Sequence, residues 1–325
     1  MPGQILVVGS SNTDMVVKTE KLPAPGETVL GGTFLMNPGG KGANQAVAAA
    51  RLAGISSRSA VTFVAKVGRD LFGEQAIRQF AEEGIRTAHM VTDPDEPSGV
   101  ALINVDARGE NTITVASGAN ANLQPDETDA ALEATEPDTI VLLQLETPIE
   151  TVEHVIRRSY ERGLRVILNP APARPLPFGL YPFLHLITPN ETEAGLLTHT
   201  EVTDEETAGI AARRLRALGV ANVIITLGRK GVYLHTEALS TIIPAPAVTA
   251  LDTTAAGDCF NGALAVALSE GMPLPDAAAF ACQAASLSVT RLGAQASMPT
   301  RAELERIDGE PSTQVLPVNE ERNTE

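Results

Sequence analysis

The sequence contains few aromatic residues, no tryptophan and only two cysteines. Phe, Tyr and Trp make up 3% of the 325 residues, so aliphatic side chains must fill most of any core. Cys259 and Cys282 could form at most one disulfide, which is too few to stabilise a chain of this length, and their spacing fits neither a zinc site nor a redox pair. We therefore expect two ordinary thiols in a reducing compartment.

Positive charge and long apolar runs are also scarce. The chain has 24 Lys and Arg against 40 Asp and Glu, a formal net charge of −16. Because a phosphate backbone favours clustered basic residues, no nucleic-acid partner is expected. The negative charge does not exclude a nucleotide site, since a few backbone amides and a metal ion are enough to hold phosphates locally. With no bilayer-length apolar run and no leader-like segment, we expect a cytoplasmic protein without a membrane partner.

Short apolar runs alternate along the chain with segments of helical periodicity. The apolar runs lie at Ile5–Gly9, Val61–Val67, Thr139–Leu143, Arg165–Leu168, Leu186–Thr188 and Asn222–Thr226. The segments with apolar residues three and four apart include Leu71–Glu83, Ile149–Glu161 and Glu205–Leu218. This alternation predicts an α/β fold with a mostly parallel sheet covered on both faces, and ligands at the carboxyl ends of its strands.

Two regions interrupt this alternation with short β-like segments of mixed polarity. They are Asp14–Thr19 with Thr28–Phe34, and Val100–Val105 with Asn111–Val115. We expect them to pair into a small separate sheet that acts as a lid or a dimer surface, with lid segments at about 14–34 and 100–115. The lid belongs to one predicted domain, 1–307. The remaining 308–325 are acidic and lack periodicity, so a disordered tail is predicted.

The strongest local signal is the segment 251–263, where small residues lead directly into an apolar helix. Amides at a helix N-terminus lack acceptors, and Ala255, Ala256 and Gly257 would let a phosphate approach them. Asp258 stands where it could accept a proton from an attacking hydroxyl, although an aspartate at a helix start is also a common cap. The whole segment favours phosphoryl transfer.

A second signal is the glycine-rich segment 39–46. The segment lacks the spacing of a Walker phosphate-binding loop. It either wraps a polyhydroxylated ligand, with Lys41 and Asn44 supplying hydrogen bonds, or forms a turn before a helix. Near the first apolar run, Asn12 and Asp14 suit paired sugar hydroxyls but are also common turn residues.

Two later motifs are equally ambiguous. Asn190 and Glu193 could position a hydrated Mg²⁺, or they could form a helix cap. The segment 226–231 predicts either a turn that approaches a nucleotide or an ordinary hairpin.

Together these motifs resemble the ribokinase family of carbohydrate kinases, which has the PfkB-type fold. The resemblance spans roughly residues 4 to 305 and rests on the segments 39–46, 169–174, 188–193 and 252–258, which follow the family's order. It implies a three-layer α/β/α domain with a small β-sheet lid. It also implies transfer of the γ-phosphoryl group of ATP to the 5-hydroxyl of D-ribose.

The resemblance further implies roles for individual residues. Asp258 would be the general base, and the amides of Ala255, Ala256 and Gly257 an anion hole. The sugar would be held, together with Asp258, by Asn12, Asp14, Gly40, Lys41, Asn44 and Glu146. The nucleotide and Mg²⁺ would contact Asn190, Glu193, Thr226, Gly228, Arg229, Gly231, Gly257 and Cys282, the last beside adenine. A K⁺ ion would lie among Asp252, Thr254, Ser288, Arg291, Gly293 and Ser297.

The family also implies a homodimer contact through the lid. Two departures from its pattern stand out: Ala255 takes a place where glycine is common, and Cys282 one where His or Asn is frequent.

Two alternatives remain open. One is a kinase for another small acceptor, such as deoxyribose, a fructose derivative or a nucleoside, although a nucleoside would need aromatic or apolar residues to stack its base. The other is a sugar sensor that binds without turnover. The intact segment from Ala255 to Asp258 argues against the sensor, because a decayed enzyme commonly loses its base.

Overall fold

The structure is a computed structural model that describes residues 3–53 and 61–309. Its strands are β1 (Ile5–Val8), β2 (Asn12–Lys18), β3 (Thr33–Gly39), β4 (Val61–Val64), β5 (Lys66–Gly68), β6 (Val91–Asp93), β7 (Gly99–Val105), β8 (Asn111–Ala116), β9 (Ile140–Leu143), β10 (Arg165–Leu168), β11 (Leu186–Ile187), β12 (Asn222–Thr226), β13 (Val232–His235) and β14 (Ser240–Ile243). Its α-helices are α1 (Lys41–Leu52), α2 (Leu71–Glu82), α3 (Asp129–Glu133), α4 (Ile149–Glu161), α5 (Glu191–Thr198), α6 (Glu205–Ala217), α7 (Ala256–Ser269), α8 (Leu274–Ser288) and α9 (Arg301–Gly309).

The central sheet has eight strands in the order β14-β13-β12-β11-β10-β9-β1-β4. The strands from β12 to β4 run parallel, and β13 and β14 extend the sheet as antiparallel neighbours. A smaller pair, β5 with β6, lies apart from it. The predicted α/β fold with a mostly parallel sheet is confirmed.

Side chains of the central strands alternate between two apolar cores. In β1, Ile5 and Val7 belong to the core that contains α1, α7 and α8 residues, whereas Leu6 and Val8 belong to the core with α4 and α6. This division follows from the two-residue period of a strand. Because both faces are buried, the strands have continuous apolar sequences, which explains why they were recognisable as runs.

The predicted lid is a separate four-stranded sheet in the order β3-β2-β7-β8, with β2 parallel to β7. One of its strands was predicted wrongly, since the chain pairs at Thr33–Gly39 and not at Thr28–Phe34. Gly31 and Gly32 have φ angles of 92° and 109°, which a strand does not accommodate. The register then pairs Asn12 with Gly39, so the lid strands lead directly into the glycine-rich segment.

Two other boundaries differ from the prediction. The run Val61–Val67 divides at Ala65, because β4 joins the central sheet and β5 pairs with β6. Helix α9 extends to Gly309, and the rest of the predicted tail 308–325 lies outside the described residues, so that boundary stays a prediction. In the part of the chain described, no helix is long and apolar enough to cross a membrane.

Candidate active site

Polar residues follow the buried strands at the carboxyl edge of the central sheet. They come directly after, or within two residues of, five parallel strands, and they are Ser10, Gln144, Asn169, Thr188 and, at the end of β12, Thr226. Four of them are almost completely buried, and Thr226 is half-buried. The edge predicted to bind ligands is therefore the polar edge of the sheet.

The glycine-rich segment brings the start of α1 onto the loop after β1. A Cβ atom on Gly42 would lie 2.6 Å from the Gly9 carbonyl carbon and from the Ser10 nitrogen, so only glycine permits this approach. Glu146 joins the two pieces, because its Oε2 accepts from Ser10 Oγ at 2.5 Å and from the Lys41 amide at 3.0 Å. The glycines thus serve backbone packing as well as access to the site.

Asp258 is buried in the first turn of α7, and its carboxylate does not cap the helix. Oδ2 accepts from Asn44 Nδ2 at 2.9 Å, and Oδ1 accepts from Gln45 Nε2 at 3.0 Å. Burial raises the pKa of Asp258, while Lys41 and the two amide donors oppose that rise. The result is a buried carboxylate held through both of its oxygens by one neighbouring helix.

The N-cap of α7 is Ala255, which has the left-handed φ of 58° and makes no side-chain cap hydrogen bond. The Ala256 amide donates to the Thr253 carbonyl at 3.2 Å, so this member of the predicted anion hole is already engaged. The first-turn amide of Gly257 has no preceding helical carbonyl to reach and is the better candidate donor.

Four acidic side chains and one lysine, namely Asp14, Glu146, Glu193, Asp258 and Lys41, interact electrostatically in the site. Burial, with the negative charges of Glu146 and Asp258, raises the pKa of Asp14 to about 6. Burial alone would lower the pKa of Lys41, but the charges of Asp258, Glu146 and Glu193 outweigh it and raise the pKa. The ammonium of Lys41 is therefore kept charged among carboxylates.

Asn12 is held by a residue that the sequence did not reveal. Asn120 donates from Nδ2 to Asn12 Oδ1 at 2.8 Å and to the Ser11 carbonyl at 3.0 Å. Its Oδ1 accepts from the Ser11 amide at 2.8 Å. Asn120 is buried in a 3-10 helix (Gly118–Asn122) and fixes the loop that presents Asn12.

Two cavities meet at the N-terminus of α7. A polar cavity of about 200 Å³ is lined by residues that include Lys41, Glu193 and Asp258. A larger, mainly apolar cavity of about 480 Å³ is lined by residues that include Val248, Phe260 and Cys282. Their linings share Thr226, Thr253, Ala256 and Gly257. A group passing from one cavity to the other would pass the α7 amides.

Asn190 and Glu193 form the helix cap that one interpretation of their motif predicted, whereas the Mg²⁺ interpretation stays a prediction. They form a capping box at the start of α5, with Asn190 Oδ1 accepting from the Glu193 amide at 2.8 Å and Glu193 Oε2 from the Asn190 amide at 2.9 Å. Both also line the polar cavity. Burial raises the pKa of Glu193, and the nearby Asp258 charge adds to the rise.

The segment 226–231 is likewise both a hairpin and a cavity wall. It contains a 3-10 helix (Gly228–Lys230) that links β12 to its antiparallel neighbour β13. Gly228, Arg229 and Gly231 line the apolar cavity, as does Cys282 from α8. Burial raises the pKa of the Cys282 thiol to about 12, so this side chain is an apolar wall component and not a nucleophile.

Three of the six residues predicted to surround K⁺ come together. Asp252 accepts from the Thr254 amide at 2.9 Å, from Thr254 Oγ1 at 2.6 Å and from the Gly293 amide at 2.8 Å. The side chains of the other three are engaged elsewhere, since Ser288 and Ser297 donate to backbone carbonyls and Arg291 pairs with Glu303. Arg291 carries a positive charge, so it could contribute to a K⁺ site only through its backbone oxygen.

No three His, Cys, Asp or Glu side chains within 3–53 and 61–309 are grouped to hold a metal ion.

The sequence prediction also missed Gln45 and Gln144, which lie behind Asp258. Gln144 Nε2 donates to Gln45 Oε1 at 2.6 Å, and Gln45 also donates to Asn169 Oδ1 at 3.1 Å. A usable signal existed for Gln144, because it directly follows the buried strand β9. Nothing in the local pattern distinguished Gln45 from a helix residue facing the core.

Comparison with known proteins gives one family match and close relatives. Residues 3–301 match the pfkB family carbohydrate kinases. The chain is 44% identical over 303 residues to a ribokinase from Bacillus subtilis (strain 168), covering 93% of this chain and 98% of that protein.

Solved structures resemble the whole fold. A ribokinase crystal structure from Thermotoga maritima is 40% identical, with a TM-score of 0.86, and the match covers 95% of this chain and 100% of that one. A ribokinase from Arabidopsis thaliana, solved in complex with ribose and ATP, is 33% identical with a TM-score of 0.85, over 94% of this chain and 99% of that one. Both matches include the lid as well as the central sheet, since they cover nearly all of each chain.

Proposed function

Because the chain belongs to the pfkB family of carbohydrate kinases, we propose that it transfers the γ-phosphoryl group of ATP to the 5-hydroxyl of D-ribose. The products would be ribose 5-phosphate and ADP. The observation that carries this proposal is the meeting of a polar and an apolar cavity beside Asp258 and Gly257. The identity to ribokinases over nearly the full length supports ribose as the acceptor.

In the proposed reaction Asp258 accepts the proton of the sugar hydroxyl as the hydroxyl oxygen attacks the γ-phosphorus. The bond from that phosphorus to the bridging oxygen breaks, and ADP leaves into the apolar cavity. The Gly257 amide at the α7 N-terminus stabilises charge on the transferred group. Asn12, Asp14, Lys41 and Glu146 hold the sugar so that its hydroxyl faces Asp258.

Cations are part of the proposal because the site is acidic. Glu146, Glu193 and Asp258 act on a single lysine, Lys41, and together with Asp14 they would repel the phosphates of ATP. Mg²⁺ bound to the nucleotide offsets this charge, and Asn190 and Glu193 would hold it through a carboxylate, an amide oxygen and waters. K⁺ would lie beside Asp252, where two loops close against the start of α7.

The lid supplies the proposed homodimer contact. Its strands expose large apolar side chains that a monomer would leave in water, namely Phe34, Met36, Leu102, Ile113 and Val115, each 47% exposed or more. A second copy of the chain is the proposed partner.

We further propose that the protein works in the cytoplasm, where ATP is available and two buried free thiols stay reduced.

The test is ADP release coupled to a colour reaction, with Mg-ATP, K⁺ and either ribose, deoxyribose, fructose or adenosine at one concentration. Release with ribose well above the others is expected, and the Asp258→Asn variant should lack it. Preference for another acceptor would reassign the substrate. Sugar binding without release from any of the four would favour a sensor over a kinase.

A further inference from the structure

Side-chain amides converge on Asp258 in two arms. In the first arm Gln144 donates to Gln45 at 2.6 Å, and Gln45 donates to Asp258 Oδ1 at 3.0 Å. In the second arm Gln295 donates to Asn44 Oδ1 at 3.3 Å, and Asn44 donates to Asp258 Oδ2 at 2.9 Å. Asn44 and Gln45 therefore each donate to the carboxylate and accept from the amide behind them. The first arm ends at Gln144, whose buried Oε1 has no hydrogen-bond partner among the described residues.

The direction of both arms follows from the chemistry of the carboxylate. An ionised carboxylate only accepts hydrogen bonds, so Gln45 and Asn44 must present their NH₂ groups to it. Their carbonyl oxygens then face away and need donors, which Gln144 and Gln295 supply. Gln45, Gln144 and Gln295 are 0%, 0% and 1% exposed, so solvent does not provide those donors.

The second arm extends to other parts of the fold. Gln295 Oε1 accepts from Gln79 of α2 at 3.1 Å. Gln295 also lies in the segment between Gly293, which donates to Asp252, and Ser297. The second arm thus joins Asp258 to the loop proposed to hold K⁺. Gln45, Gln144 and Gln295 do not line the polar cavity, so their effect on the sugar is indirect.

We propose that Gln45, Gln144 and Gln295 are positioning residues that hold the Asp258 carboxylate in one orientation toward the sugar hydroxyl and supply its hydrogen-bond donors. This inference rests on the proposed function, in which Asp258 is the general base. A chain of aligned amides in a buried site strengthens each member, because every donor is polarised by the one behind it. Removing Gln45 takes away a charge-assisted bond, whereas removing Gln144 leaves Gln45 bonded to Asp258 and Asn169 but without a donor to its own Oε1.

Other charged and titratable groups also act on Asp258. They come from several elements packed against it and comprise Lys41 of α1, Asp14 of β2, Glu146 after β9, Glu193 of α5 and Cys259 of α7 itself. All of them remain in a Gln45→Met variant, which keeps the length of the side chain but not its donor. A change in the titration of Asp258 between the two proteins therefore reports the amide.

The kinetic test is the pH dependence of kcat for wild type and Gln45→Met, with ribose and Mg-ATP saturating. Loss of the donor should move the acid limb of kcat to higher pH by about one unit, a tenfold change in the ionisation constant. The ribose KM should change less than about threefold, because Gln45 does not contact the sugar. Asn222→Leu is the matched control, since it removes an amide that donates to the His185 carbonyl and lies outside the cavity linings.

A second readout does not depend on turnover. The Asp258 carboxyl is followed by ¹³C NMR against pH, with Asp258→Asn identifying the signal, in wild type and Gln45→Met. An upward shift of the Asp258 pKa supports the proposal even if ribose proves to be the wrong acceptor. If the Asp258 pKa is the same in both proteins, or if kcat falls by the same factor at every pH, the proposal is overturned. If Gln45→Met does not fold, Gln144→Met should show a smaller shift in the same direction, and no shift there is equally decisive.

Discussion

Replacing Asp14 by Asn should stabilise the protein at neutral pH while weakening its hold on the sugar. Asp14 lies in β2, where its carboxylate is partly buried and shares the pocket with Glu146 and Asp258. Burial and these two charges raise its pKa from 3.8 to about 6. The ionised form is thus less favourable in the folded chain than in the unfolded chain, and asparagine removes that penalty.

The magnitude follows from this pKa. A rise from 3.8 to about 6 corresponds to about 3 kcal/mol of differential free energy, at about 1.4 kcal/mol per unit. The pocket is open to water, which screens the charges, so we expect a gain of about 1 to 2 kcal/mol. Because the folded pKa is raised, the wild type loses this stability as pH rises from 3.8 through about 6.

The assay is urea unfolding of wild type and Asp14→Asn at several pH values across this window. The stability difference should be largest above pH 6 and should vanish as pH falls below 3.8. Asp95→Asn, at an exposed aspartate, is the control and should show no such trend. A difference that is absent at neutral pH, or independent of pH, would refute the reasoning. The same variant should raise the ribose KM about tenfold or more, because it loses a charged acceptor.

Four shorter predictions concern other parts of the site. Asp258→Asn should lower kcat by about a hundredfold or more while leaving ribose affinity, measured by calorimetry, nearly unchanged. Ala255→Gly should raise the melting temperature, since it relieves a left-handed φ of 58° that costs alanine about 1 kcal/mol. Gly39→Ala should raise the ribose KM in steady-state assays, because its Cβ would overlap the Asp14 carboxylate. Exchanging K⁺ for Na⁺ should lower kcat, and equal rates with both ions would remove the cation from the proposal.

The central sheet could be predicted from sequence because burial on both faces leaves a simple pattern. Arg165–Leu168 and Asn222–Thr226 were located at their observed bounds, since continuous apolar runs of that length between helical segments leave few alternatives. The segment with Ala255 to Asp258 was expected to lead into an apolar helix, and it does so at the start of α7.

The lid was predicted less accurately because its strands are only partly buried. The pattern of polar and apolar residues did not separate Thr28–Phe34 from the observed strand Thr33–Gly39. The register depends on pairing with β2 and on the conformations of Gly31 and Gly32. The alternation of polar and apolar side chains along a strand encodes neither of these. Strand assignment therefore failed for β3, whereas the predicted Val100–Val105 and Asn111–Val115 lie within β7 and β8.

The surroundings of Asp258 were hidden for a different reason. Asn44 and Gln45 contact it from 214 and 213 residues away, so no local window contains both partners. Their approach depends on the packing of α1 against α7. A Cβ atom on Gly262 would lie 2.7 Å from Ala48 Cβ and from the Gln45 carbonyl oxygen, so glycine is needed where these helices meet.

If Asp258 acts as proposed, the small residues of α1 and α7 have a catalytic consequence as well as a structural one. Gly262 lies one turn after Asp258, and Ala48 lies one turn after Asn44. Contact at these positions sets the distance at which the two amides reach the carboxylate. A larger residue at Gly262 would separate the helices and lengthen both hydrogen bonds without touching any ligand. The scarcity of aromatic side chains, at 3% of the chain, accords with helices packed this closely around the base.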